Sequence, residues 1–180
     1  MKKLLKVLLV SCFAVMFSIN ANSQNVFTKG TSVLGFGLGL NDYMGNLVLP
    51  PLAAHYDHGI ADFGKGGSLG IGGYIGAYGY KEVDSQYSHS YFRLIFGPAL
   101  TYHFNGFPNV RSLELYARGV LGPQFQIRTH KDTNVTQKTT TSFGFNLQVG
   151  GKWWFNNALA LYTGFGYGVS FFEIGLDFKL

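Results

Sequence analysis

Side chains in this sequence alternate with a period of two along almost its whole length, and helical spacing is nearly absent. The last residues show the rule: Phe172, Ile174, Leu176, Phe178 and Leu180 are large and apolar, while Glu173, Gly175, Asp177 and Lys179 between them are charged or glycine. A strand points successive side chains to opposite faces, so this period makes one face greasy and the other polar or bare. Phe143, Phe145, Leu147, Val149 and Trp153 alternate in the same way with Gly144, Asn146, Gln148, Gly150 and Lys152. So do Leu34, Phe36, Leu38 and Leu40 with Gly35, Gly37 and Gly39.

The alternation predicts eight strands, over 34–40, 51–60, 67–80, 91–104, 113–127, 143–155, 159–167 and 172–180. Several exceed the usual globular strand of ~5–6 residues. Pro51 donates no backbone hydrogen bond, so the second strand is expected to begin there. The connections are expected to alternate as well. Asn41–Pro50, Glu82–His89 and the Thr-rich stretch 129–141 are long or polar, and Gly168–Ser170 is short. Between them lie Ala61–Gly66, Asn105–Ser112 and Asn156-Asn157, the last suited to a two-residue type I′ hairpin. Long loops at one end and tight turns at the other are the pattern of a meander that crosses a bilayer.

Ahead of this region, residues 1–23 read as an export leader. Lys2, Lys3 and Lys6 give a basic start, Leu4 to Ile19 an apolar stretch, and Ala21-Asn22-Ser23 small residues for cleavage before Gln24. Leu9-Val10-Ser11-Cys12 resembles a lipoprotein box but sits too near the start. The domain expected to fold is 24–180. Of the formal net charge of +5, Lys2, Lys3 and Lys6 carry three, and the leader also holds the single Cys. The remaining +2 gives no reason to invoke nucleic acid, and without cysteine neither a disulfide framework nor thiolate metal ligation is available.

An eight-stranded alternating meander has two physical solutions: a soluble barrel with its apolar face inward, or a membrane barrel with it outward. Composition separates them. Only 13% of residues are charged, about half the usual ~25%. The apolar faces are large and aromatic on nearly every strand and would overfill an eight-strand interior. The opposite faces are rich in glycine and carry Asp57, Glu114, Glu173 and Asp177 with Arg93, Arg118, Lys152 and Lys179. As a lumen, four acids and four bases can pair, with glycine leaving room. The expected fold is therefore all-β: an eight-stranded antiparallel up-and-down transmembrane β-barrel.

Aromatic residues gather at strand ends. Tyr102, Phe104, Trp153, Phe155 and Phe178 lie towards the tight turns, and Tyr91, Phe92, Phe143, Tyr167 and Phe172 towards the long loops. Two such girdles are expected where amphipathic rings meet the two bilayer interfaces.

With Gly-x-Gly-x-Gly at 35–39, Thr101-Tyr102-His103-Phe104 closing a strand and the ending Gly-Leu-Asp-Phe-Lys-Leu, the chain resembles small eight-stranded outer-membrane barrels of the OmpA/OmpX type. It is similar above all to the outer membrane beta-barrel proteins of Bacteroidetes. The pattern Phe172, Ile174, Leu176, Phe178, Leu180 resembles the C-terminal assembly signal of such barrels, with Leu180 in place of a terminal Phe. The resemblance implies an outer-membrane location in a Gram-negative bacterium and dependence on the barrel-assembly machinery and periplasmic chaperones. It also implies contact with outer-membrane lipids and lipopolysaccharide. A monomer without cofactor is expected.

For chemistry, the polar face offers Asp57, Arg93, Glu114, Arg118, Lys152, Glu173, Asp177 and Lys179 as an ion network that plugs the lumen. The rival is a narrow porin-like channel for small solutes. A lipid-modifying enzyme would need a nucleophile and base, for which His89 with Ser90, His130 with Asp132, and Ser170 are the candidates. Adjacent strand residues such as His89 and Ser90 point to opposite faces, and no catalytic residue is assigned. In His55-Tyr56-Asp57-His58 only His55 and Asp57 share a face, which favours a satisfied polar pair near the barrel mouth over a metal site. The stretch from Arg128 to Thr141, with Lys138, is the leading candidate contact surface, its bases suited to lipopolysaccharide phosphates or a surface ligand, with a solvated loop as the alternative. Gly35, Gly37 and Gly39 lie inside a strand, so they are expected to pack the lumen and not to cradle a nucleotide.

Overall fold

The computed structural model describes residues 27–42, 46–83, 88–130 and 136–180. The leader 1–23 and Asp132 lie outside the described residues. Eight strands form one antiparallel sheet in chain order: β1 (Ser32–Leu40), β2 (Leu47–Phe63), β3 (Gly67–Val83), β4 (Ser88–Phe104), β5 (Leu113–His130), β6 (Thr136–Trp154), β7 (Leu159–Tyr167) and β8 (Phe172–Lys179). β8 pairs back onto β1, from Val33 opposite Lys179 to Leu40 opposite Phe172, and closes the ring. Closure leaves no sheet edge along the paired length.

The predicted alternation sets the two faces. Leu34, Phe36, Leu38 and Leu40 of β1 point outward, and Val33, Gly35, Gly37 and Gly39 point into the lumen. On β6, Phe143, Phe145, Leu147 and Val149 are exposed on the outside while Asn146, Gln148 and Lys152 are buried within. About half of the buried side chains are polar or charged and the exposed face is mostly apolar, the reverse of a soluble domain. This is the transmembrane form of the eight-stranded up-and-down barrel.

Strand ends differ from the sequence expectation in several places; β3 reaches Val83 and β4 starts at Ser88, so Glu82 and His89 are strand and not loop. β2 begins at Leu47 and runs through Pro50 and Pro51, because its register against β3 shifts between Leu47 and Leu49 and again between Leu49 and Leu52. Such irregularities are where a strand tolerates proline. The Thr-rich stretch is largely strand: β5 extends to His130 and β6 starts at Thr136. Finally, Asn156-Asn157 is not a two-residue hairpin. The connection is 155–158, and the Asn156 side chain accepts hydrogen bonds from the backbone N–H of Ala158 (2.8 Å) and Leu159 (2.9 Å).

Loop length does not distinguish the two ends of the barrel, since the connection 105–112, on the same side as the termini, is the longest. The asymmetry lies in the strands. β2 to β6 have 17 to 19 residues, whereas β1, β7 and β8 have eight or nine. At ~3.3 Å per residue and a tilt of ~35–45°, the short strands reach roughly 19–24 Å along the barrel axis and the long ones roughly 40–50 Å. The short ones match the ~25 Å apolar band of such barrels. The upper parts of β2 to β6 rise beyond it, and there the outward residues turn polar, with Lys81 on β3 and Thr139 and Thr141 on β6.

Candidate functional site

Two parallel facts build the lumen: polar side chains on the inward parity, and glycines on the neighbouring strands that leave room for them. Gly35 of β1 lies opposite His55 of β2 on one side and Asp177 of β8 on the other. A side chain at 35 would collide with both. Because none is there, His55 Nε2 and Asp177 Oδ1 stand 3.1 Å apart. Gly37 and Gly175 likewise clear the space taken by the Tyr162 ring, whose hydroxyl donates to Glu173 Oε1 (2.7 Å).

These contacts belong to a buried polar layer across the middle of the barrel. Arg118 Nη2 meets Asp57 Oδ2 at 2.9 Å, and Thr101 Oγ1 donates to the other Asp57 oxygen at 2.8 Å. Arg118 also donates to Gln148 Oε1 (3.4 Å), which accepts from the Tyr116 hydroxyl (3.1 Å). Lys152 Nζ bridges Asp177 (2.7 Å) and Glu114 (3.5 Å). Glu114 is also held by His103 Nδ1 at 2.6 Å and by the Trp154 indole N–H at 3.0 Å. Arg118 and Lys152 each lie over the Tyr116 ring, 5.2 and 5.3 Å from its centroid. Charges removed from water this completely persist only when compensated: Asp57, Glu114 and Arg118 are both ion-paired and hydrogen-bonded, while Lys152 and Asp177 are held by their ion pairs.

Below it, on the side of the termini, residues 27–31 fold into the barrel. Phe27 is wholly buried and stacks on the His103 ring with centroids 3.7 Å apart. Its carbonyl accepts from Ser68 Oγ (3.1 Å) and Asn105 Nδ2 (3.0 Å). Backbone bonds between Gly30 N–H and the Gly59 carbonyl, and between Gly59 N–H and the Thr31 carbonyl, both 2.8 Å, strap the segment to β2. Above the polar layer, Tyr74, Tyr78, Tyr80, Ile95 and Val120 form an apolar cluster with Val169. Val169 enters from the β7–β8 connection, where Gly168 has φ of 132°, and Gly76 leaves the space it fills. The lumen is thus occupied at three levels by aromatic, ionic and aromatic layers in turn.

Of the eight residues predicted for the ion network, Asp57, Glu114, Arg118, Lys152 and Asp177 come together in this layer. Glu173 is held by Tyr162 and by Ser170 Oγ (3.2 Å). Arg93 sits higher, donating to Gln126 Oε1 (3.0 Å) and the Tyr78 hydroxyl (3.1 Å). Lys179 lies half-buried at the other end of β8. His55 and Asp57 do share a face, but deep in the lumen and not near the mouth, and their ion-pair partners are Asp177 and Arg118 instead of each other. Sequence reasoning missed His103, Thr101, Trp154 and Phe27. Trp154 has the same parity as Lys152, a signal that was available.

Among the predicted girdle residues, Tyr102, Phe104, Trp153 and Phe178 lie on the outward parity near the termini end, with Phe155 just past β6. Phe92, Phe143, Tyr167 and Phe172 do so at the other end. Tyr91 does not: it follows the opposite parity from Phe92 and stacks inward on Tyr80, centroids 4.9 Å apart. Phe172, Ile174, Leu176 and Phe178 form the outer face of β8, and Leu180 follows, its N–H bonded to the Ser32 carbonyl at 2.9 Å. Of the nucleophile and base candidates, Ser170 is buried against Glu173, and His89 Nε2 lies 2.9 Å from Arg128 Nη2.

No protein-family model matches the sequence. Nor does any curated protein sequence match it. Solved structures similar to the chain include the attachment invasion locus protein Ail of Yersinia pestis, at 10% identity and TM-score 0.47, covering 84% of this chain and 96% of that one. The N-terminal β-barrel domain of Pseudomonas aeruginosa OprF is similar at 16% identity and TM-score 0.45, covering 85% and 98%. Neisserial surface protein A is similar at 11% identity and TM-score 0.47, covering 84% and 98%.

Proposed function

We propose that this chain is an integral outer-membrane β-barrel of a Gram-negative bacterium, with a sealed lumen and a structural or surface-contact role. One observation carries the reading: the apolar residues coat the outside of a closed ring while three layers of side chains fill the inside. The exterior suits lipid, and the packed interior supports a sealed lumen. Export behind the leader 1–23, chaperoned transit and insertion by the assembly machinery accompany this reading, with Phe172, Ile174, Leu176, Phe178 and Leu180 as the recognition strand. The barrel works as a monomer and needs no cofactor.

The experiment is fractionation of cells expressing the tagged full chain, followed by electrophoresis with and without boiling. The expected result is recovery with the outer membrane and a mobility that changes on heating, as the closed barrel unfolds. Recovery as a soluble periplasmic protein refutes the reading.

A further inference from the structure

β7 ends at Tyr167, opposite Leu147 of β6, whereas β6 continues upward for another eleven residues. The wall between them therefore has a notch above Tyr167, and a cavity of about 250 Å³ opens there. Its outer lip is aromatic and faces the membrane side: Phe143 is 76% exposed and Tyr167 68%. Its inner wall is polar, with Arg93, Gln124 and Ser142. The Arg93 guanidinium is oriented by Gln126 and the Tyr78 hydroxyl, and it packs over the rings of Tyr78 and Tyr80 at 5.9 and 5.7 Å. Val169 lines the cavity and packs into the apolar cluster of Tyr74, Tyr78 and Ile95.

We propose that this notch binds the phosphate-bearing headgroup of a membrane lipid, with Arg93 as the phosphate contact. The proposal rests on the membrane reading above. Three properties favour this occupant. The notch lies level with the upper aromatic girdle, where headgroups sit. Its polarity changes from aromatic at the lip to cationic inside, matching a lipid that has its chains outside and its phosphate within. A guanidinium offers a planar fork of donors that fits phosphate oxygens. The volume suits a single headgroup, below the ~300–1,000 Å³ of sites for larger ligands. Gln124 and Ser142 supply neutral hydrogen-bonding groups for the hydroxyls of a glycerol or sugar headgroup.

The test is native mass spectrometry of the full barrel in detergent micelles, titrated with phosphatidylglycerol, diacylglycerol or glycerol phosphate. Wild type should retain phosphatidylglycerol about tenfold more strongly than the phosphate-free diacylglycerol, the worth of one charge-assisted contact. Arg93→Gln should remove that preference. Ser142→Glu, at an exposed position, should remove it too by placing a carboxylate in the notch. Equal retention of both lipids by wild type, or an unchanged preference in both variants, overturns the proposal. Glycerol phosphate binding as tightly as the lipid assigns the notch to a soluble phosphate ligand and overturns the lipid assignment. A chain that stays folded and soluble without detergent refutes the membrane reading itself, whereas a detergent-dependent barrel without lipid preference refutes only the site.

Discussion

His55 and Asp177 sit on strands that never pair with each other, yet their side chains meet 3.1 Å apart across Gly35, the β1 residue that lies opposite both. The period-two pattern therefore does more than separate an inside from an outside. Where the inward residue is glycine, polar side chains from the flanking strands close over it. A change to Gly35→Val should push His55 and Asp177 apart and abolish the heat-modifiable form. Leu38→Val, three residues on and facing outward, should leave that form intact. Electrophoresis of the two refolded variants checks this, and a normally folded Gly35→Val barrel would contradict it.

The Arg118–Asp57 pair is buried on both sides. Removing one partner strands the other charge, so Arg118→Met should cost about 3–5 kcal/mol in equilibrium unfolding by urea. The double change with Asp57→Leu should recover much of that loss, because no unpaired charge remains. A single-variant cost below about 1 kcal/mol would mean that water reaches the pair.

How far the pattern can be read from sequence depends on the membrane. Between the girdles the two faces differ in polarity, and all eight strands show the alternation. Above them both faces are polar, so Thr136 to Thr141 carries no alternation and reads as loop, although threonine favours strands. Pro50 and Pro51 mislead for another reason: a strand excludes proline only where its N–H is needed, and the register of β2 shifts at that point. Tyr91 and Phe92 are both aromatic, but adjacent strand residues face opposite ways, so aromatic character alone does not put Tyr91 in the girdle. The partners of Asp57, Glu114 and Asp177 follow from strand register and ring closure, which no local pattern contains. Phe27 lies before β1, where no periodicity points to it.

Depth in the bilayer can be tested on one strand. Val149 lies midway between Phe143 and Trp153 on the outer face of β6, and Thr139 lies above Phe143. Val149→Arg should destabilise the barrel in lipid by about 2–4 kcal/mol, and Thr139→Arg by about 0–1 kcal/mol. Unfolding in vesicles measures both. Equal costs would place the bilayer elsewhere on the barrel.

The strap at the termini end depends on Gly59, where any side chain would meet the Thr28 carbonyl and the Lys29 backbone. Gly59→Val should expel residues 27–31 and expose the bond after Lys29 to trypsin, with the barrel itself still folded. A time course followed by mass spectrometry reads the cleavage. Protection equal to wild type would show that the strap is held without the clearance at Gly59.

The sealed lumen is tested most directly by recording current across planar bilayers that contain the purified full chain. Phe27, the Arg118–Asp57 layer and Val169 together predict a bilayer that stays silent at either polarity. Reproducible single-channel steps from pure wild-type protein would show an open path through all three layers and contradict the account.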